Sequence, residues 1–381
     1  MELQAILESA KSVVAKAVAP HAAKNDREGR FPEEAIKALG EAGLMGVMLP
    51  TSLGGKGLGP RAFAAVVSTL AESDPSVAMI YVMHVAATAC LATAPKSANV
   101  ESTLKDIAKG THLTTLAFSE KGSRSHFWAP VSKAVKDGAG VMLNAQKSWV
   151  TSAGIADSYV VTTLSHAAKG PTDTTLYLVK KGASGMRVSS TFDGLGLRAN
   201  ASSPMTLEGV KVSDDARLTD EGAGFKAKLE VVLPLFNLGC SAMSLGICRA
   251  TVGATVSHLK TAQFEHMGAS LGESLPTLRN ALAAMAIETD QLGAFVDDVI
   301  SHLEKPGDLT VLRVLESKSA AGEAAIAVTS AAMRACGGAA FSKQLSVDRF
   351  FRDAHASAVM APTSDVLREF IGKALLGIPL F

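Results

Sequence analysis

The sequence predicts an α+β protein in which a compact β-domain is lodged between two helical regions. Three observations carry that expectation. Residues 1–112 repeat apolar side chains at three- and four-residue spacing, residues 113–218 switch to short β-branched or alternating segments, and helical spacing returns over residues 219–381. Segregated runs of this kind, without βαβ alternation, argue against a doubly wound dinucleotide-binding sheet.

In the first region, FPEEAIKALGEAGLMGVM starts a helix with Pro32 just before an acidic first turn, and RAFAAVVSTLAE and VAMIYVMHVAATACLATA follow the same period. The intervening GGKGLG, Gly54 to Gly59, superficially resembles a phosphate-binding loop. It has neither a strand before it nor the required glycine spacing, so it reads as a turn between helices. In the second region, the segments TTLAF, VSKAVKD, GVMLNAQKSWVTS, SYVVTTL, TTLYLVKK, MRVSS and MTLEGVKV are separated by Gly, Asp, Asn and Pro turns and predict roughly seven strands. In the third, Ala-rich helices are expected at 222–265, 272–303, 308–336 and 344–376.

A chain of 381 residues with 48% hydrophobic and 19% charged residues and a formal net charge of +1 is long enough for a large core and lacks the basic excess that nucleic acid demands. Cys90, Cys240, Cys248 and Cys336 stand in apolar surroundings, with no C-x-x-C and no His at ligand spacing. Buried thiols in a reducing compartment and no metal are the expectation. The N-terminal MELQAILESAKSVVAKAVAP has Glu and Lys within its helical spacing, unlike a signal peptide, so a cytoplasmic protein is expected. Residues 231–248 are uncharged over about the length of a membrane span, yet Pro234, Asn237 and the Gly and Ser content suit a close-packed bundle interior, and no membrane span is expected.

The most informative stretches are LAFSEKGSRSHFWAPVSKA and LNAQKSWVTSAGIADSYVV. Trp149 and Thr151 alternate along a predicted strand and should face one side, where an indole and a hydroxyl suit a planar heterocycle. A tryptophan anchored in a sheet core fits the pattern equally well. With LPTSLGGKGLG, FSEKGSRS, LNAQKSWVTSAGIAD, LGLRANASSPMTLEGVKV, GAGF, CGGAAF and DRFFRDA in this order and spacing, the chain resembles the acyl-CoA dehydrogenase superfamily over essentially all 381 residues. The resemblance implies an N-terminal helical domain, a central β-barrel-like domain and a C-terminal four-helix bundle, in a homodimer or homotetramer carrying FAD.

By that resemblance Phe118, Ser119, Trp149 and Thr151 contact the flavin, Thr363 reaches the FAD phosphates, and Gly337 and Gly338 let backbone approach a neighbouring subunit's cofactor. Ser125 matches the serine that holds the thioester's carrier. The family's reaction removes an α-proton from an acyl thioester while a β-hydride moves to flavin, and it needs a carboxylate base. Ungapped alignment from Arg352-Asp353-Ala354 to Thr363 puts Ala361-Pro362 where the family has Glu-Gly. The alternative site after GAGF is LPLFNLG, residues 233–239, also without a carboxylate. Further departures are His126-Phe127-Trp128 after Ser125, Thr261 for the family's Arg before Phe-Gly that meets a neighbouring flavin's pyrophosphate, and Met360 and Asp365.

His84 is the candidate replacement base and is equally a candidate core histidine; His126 is a candidate substrate contact. His355, Asp353 and Glu120 read as structural. Three functions stand. The first is FAD-dependent α,β-dehydrogenation of an acyl thioester on CoA or an acyl carrier protein, with a non-standard base and an electron acceptor protein. The second is a two-component monooxygenase on the same scaffold, served by a flavin reductase. The third is a catalytically inactive flavin-binding homologue.

Overall fold

The computed structural model describes residues 2–381. Six helices form the N-terminal layer: α1 (Glu2–Val13), α2 (Ala22–Glu28), α3 (Glu33–Glu41), α4 (Pro60–Ala71), α5 (Pro75–Ala92) and α6 (Ala98–Ala108). Helix α5 is apolar on nearly every side and is accordingly the central helix, buried against α4 and the sheet. Asp74 starts it by accepting the Ser76 amide at 2.9 Å, with Pro75 in the first turn. The GGKGLG turn returns its Lys56, Gly57 and Leu58 amides to the carbonyls of Gly46, Leu49 and Val47, which leaves those donors nothing to offer a phosphate.

Seven strands follow: β1 (Thr114–Ala117), β2 (Val135–Asp137), β3 (Gly140–Val150), β4 (Ser158–Leu164), β5 (Thr174–Lys180), β6 (Met186–Val188) and β7 (Ser203–Val212). They make two sheets, ordered β1-β4-β5 and β2-β3-β7-β6. Single bridges, Glu120 to Lys147 and Lys133 to Leu164, join the sheets into the barrel-like arrangement. Strand β4 is buried along almost its whole length, parallel to β1 and antiparallel to β5, matching its continuous run of apolar and hydroxyl side chains.

The C-terminal layer comprises α7 (Gly224–Ala227), α8 (Leu233–Thr261), a small hairpin of β8 (Gln263–Phe264) and β9 (Ala269–Ser270), α9 (Leu271–Ser274), α10 (Pro276–Glu304), α11 (Thr310–Phe341), α12 (Val347–Val359) and α13 (Ser364–Leu376). Helices α8, α10, α11 and the α12–α13 pair form the four-helix bundle. Among the described residues, three helices are long and apolar enough to cross a membrane; the most apolar windows of the first two, within Pro75–Ala92 and Gly224–Thr261, are 83% and 72% buried inside the protein. All four cysteines are unpaired and buried.

The helix expected at 222–265 ends at Thr261, because residues 262–270 turn back as the hairpin. The helix expected at 344–376 is two. Pro362 has no amide to continue the ladder, and Thr363 caps the next helix with its hydroxyl toward the Val366 amide. Lys318 of α11, fully buried, closes the break by donating to the carbonyls of Ser357 at 2.7 Å, Met360 at 2.9 Å and Pro362 at 2.8 Å. An ammonium group thus caps carbonyls that the end of α12 leaves unpaired.

Candidate active site

Helix α5, the β-domain and the bundle meet around one cavity of about 760 Å³, within the range of small-molecule and cofactor sites. Met79 and Met83 line it from α5; Phe118, Ser119, Gly122, Arg124, Ser125 and Phe127 from the loop after β1; Arg352, His355, Ala356 and Val359 from one face of α12; and Met360, Ala361 and Thr363 from the break that follows. The segment Phe192–Leu197 completes the wall. Gly196 packs so closely on α12 that a Cβ there would lie 2.5 Å from the Arg352 carbonyl oxygen.

Trp149 and Thr151 both reach the cavity, by a different route from strand alternation. A bulge interrupts the β3–β7 register between Lys147 and Val150, and Trp149 adopts φ +54°. Its indole is 69% exposed at the cavity, whereas Thr151 is buried and shares a 3.1 Å hydrogen bond with Ser202. An apolar aromatic face left uncovered beside a hydroxyl fits a planar flavin ring. Opposite, the Thr363 amide donates to Ser125 Oγ at 3.0 Å, tying the loop after β1 to the start of α13.

His84 lies elsewhere. It has no exposed surface; its Nδ1 accepts from the Thr114 amide at 3.2 Å, so Nε2 carries the proton and donates to the Met45 carbonyl at 3.1 Å. Burial pushes its pKa down to about 4. Both nitrogens hold α5 against neighbouring backbone, which corrects the expectation that His84 supplies the base. His126 is exposed and stacks on Trp128, ring centroids 4.7 Å apart, outside the cavity lining. Gly337 and Gly338 are exposed near the end of α11, away from the cavity, with Gly337 kinking the helix at φ +55°.

His355, expected to be structural, and Arg124, not a candidate, both face the cavity. His355 lines the wall: its Nδ1–H donates to the Phe351 carbonyl at 2.7 Å, leaving Nε2 without a partner among the described residues. Its spacing from Arg352 and Val359 already places it on their helix face. Arg124 also lines the wall. Among the described residues, the one carboxylate in the lining is Glu120, and both of its oxygens are engaged. Oε1 takes Lys147 Nζ at 2.6 Å and Ser132 Oγ at 2.5 Å; Oε2 takes the Val131 and Ser132 amides at 2.8 Å each. Burial pushes this acid up, but the Lys147 charge and these hydrogen bonds outweigh it and hold it below its ordinary value. It is a structural anion.

A helical layer, a two-sheet β-domain and a four-helix bundle around a cavity with a bare indole wall define a flavin-dependent dehydrogenase scaffold. The acyl-CoA dehydrogenase N-terminal domain family matches residues 1–111, the middle domain residues 115–210 and the C-terminal domain residues 222–376. The bovine mitochondrial short-chain specific acyl-CoA dehydrogenase is 28% identical over 378 residues, 98% of this chain and 90% of the relative. A protein of Mycobacterium tuberculosis named probable acyl-CoA dehydrogenase FadE25 is 27% identical over 370 residues, 96% and 93% of the two chains. The structure of butyryl-CoA dehydrogenase from Megasphaera elsdenii superposes with a TM-score of 0.91 at 25% identity over 98% of both chains. The chain belongs to the acyl-CoA dehydrogenase family, FAD-dependent oxidoreductases acting on CH–CH donors.

Proposed function

We propose that this protein oxidises an acyl thioester, on CoA or an acyl carrier protein, by α,β-dehydrogenation with a base other than the family's glutamate. The observation that carries this reading is the single cavity in which Trp149, Thr151, Ser125 and Thr363 face the α12 wall within the family's fold. FAD, when bound, supplies the two-electron acceptor for the β-hydride. Trp149, Phe118, Ser119 and Thr151 would hold the flavin, the indole by packing and Thr151 by its hydroxyl, and Thr363 at the N-terminus of α13 would favour its phosphate. Ser125 holds the thioester arm.

The α-proton passes from carbon to His355. Ala361 presents a methyl group, and Glu120 is held by Lys147. His355 Nε2 has no partner among the described residues, and its ring is fixed by Nδ1–H donating to the Phe351 carbonyl. His355 lies on α12 and Ala361 in the break that follows it, so a water relays the proton. Electrons leave to an acceptor protein, the cysteines suit the cytoplasm, and a homodimer or homotetramer would bring Gly337 and Gly338 to a neighbouring cofactor.

The test is anaerobic bleaching of the FAD-loaded protein near about 450 nm with a panel of acyl-CoA and acyl-carrier thioesters. His355→Gln should slow bleaching by ~100-fold or more, as expected for a lost general base. His84→Gln should leave the rate constant of the folded enzyme within about threefold, since His84 touches only backbone outside the cavity. Ala361→Glu should restore a direct carboxylate and raise the rate. The full carboxylate engagement of Glu120 favours a second reading, a two-component monooxygenase. Oxygen uptake coupled to substrate oxygenation with reduced flavin, and no bleaching by any thioester, would establish that reading in place of the first.

A further inference from the structure

The loop after β1 carries a charge that nothing in the described structure neutralises. Arg124 lines the cavity and is exposed at its rim, and its guanidinium makes no hydrogen bond or ion pair with any described residue. Lys121, three positions earlier, lines the same cavity and is also unpaired. The other charged side chains of the lining are compensated: Glu120 by Lys147, and Arg352 by Asp26 at 2.6 Å and Asp348 at 3.2 Å. The field at this part of the wall is therefore positive.

The backbone makes the arginine harder to dismiss. Arg124 adopts φ +47°, in the left-handed region, where a Cβ costs roughly 1–2 kcal/mol. A glycine would adopt this turn without that cost. Neighbouring Ser125 is tied to the Thr363 amide at 3.0 Å, which anchors the backbone of the loop next to Arg124. An exposed, strained, unpaired guanidinium at the mouth of a cavity has the chemistry of an anion contact.

We propose that Arg124, assisted by Lys121, binds an anionic group of the acyl thioester and sets its specificity. This inference rests on the acyl-thioester reading above. The shared chemistry is a phosphate or carboxylate oxygen, supplied by the phosphorylated pantetheine arm of the carrier or by a carboxylate on the acyl chain. Exposure at the rim places the contact where a carrier arm would enter.

The experiment is titration calorimetry of the FAD-loaded protein, wild type and Arg124→Gly, with three probes: butyryl-CoA, butyryl-pantetheine and glutaryl-pantetheine. Arg124→Gly relieves the backbone and removes the charge, so a weaker affinity cannot be ascribed to a strained loop. The loss of one charge-assisted hydrogen-bonded contact predicts a ~10- to 100-fold weaker Kd. Weakening for butyryl-CoA but not butyryl-pantetheine supports the proposal with the carrier phosphate as the anion. Weakening for glutaryl-pantetheine supports it with the acyl carboxylate. Arg124→Lys should recover part of the affinity, and added salt should weaken wild type more than Arg124→Gly. If wild type binds these thioesters and Arg124→Gly binds all of them equally, the anion contact is wrong while the thioester reading stands. If wild type binds none, the thioester reading falls first.

Discussion

Replacing Lys318 by methionine removes the cap from the break between α12 and α13. Three carbonyls, of Ser357, Met360 and Pro362, lose donors at 2.7–2.9 Å. A buried acceptor left unpaired costs ~1–3 kcal/mol, so the three together come to roughly 6 kcal/mol at the middle of that range. Against this, burial has already pushed Lys318 from 10.5 down to about 8, and that shift makes the buried ammonium unfavourable by roughly 3 kcal/mol, which methionine does not carry. The net expectation is a loss of about 3 kcal/mol, read from urea midpoints at pH 7. The sign with pH follows from the same shift. Below pH 8 both states hold the proton; between about 8 and 10.5 the unfolded chain holds a proton that the folded chain has released, so wild-type stability rises with pH relative to the variant. A loss under about 1 kcal/mol, or identical pH slopes for the two proteins, would refute the argument that this ammonium caps the helix.

Other perturbations follow the same logic. Glu120→Gln leaves Lys147, with no exposed surface, without its counter-charge, and should lower stability by about 3–5 kcal/mol; thermal melts of Glu120→Gln and of the double variant with Lys147→Met check it, the double variant regaining most of the loss. Asp353, buried and accepting the Leu197 amide at 2.6 Å, is pushed by burial up to about 7. Because its folded value lies above the unfolded 3.8, its contribution is fully present below about pH 4 and is lost as pH rises through about 7. Urea unfolding at several values across pH 4–8 should show Asp353→Asn falling less with rising pH than wild type; parallel curves would count against a protonated Asp353.

Much of this architecture was legible from local pattern. Helical spacing before residue 112 and after 219, and seven β-branched segments between, mark elements whose faces are dictated by period alone. The methyl at Ala361 was legible too, because it follows from residue identity at a fixed distance from Arg352 and Thr363. What sequence spacing did not contain was which polar side chains become partners. His84 and His355 both occupy helices, and only packing turned one onto the Met45 and Thr114 backbone and the other toward the cavity. Glu120 and Lys147 are 27 residues apart in sequence, and their pairing depends on the bridge between sheets. The bulge that exposes Trp149 arises from register against β7, and the cap that Lys318 supplies joins groups about 40 residues away along the chain. Period and residue type act within a few residues, so the chain alone determined its elements and the residue types in the segment from Arg352 to Thr363. Pairing and exposure are decided by long-range contacts, so only the tertiary structure determined which groups face the cavity with a free lone pair or charge.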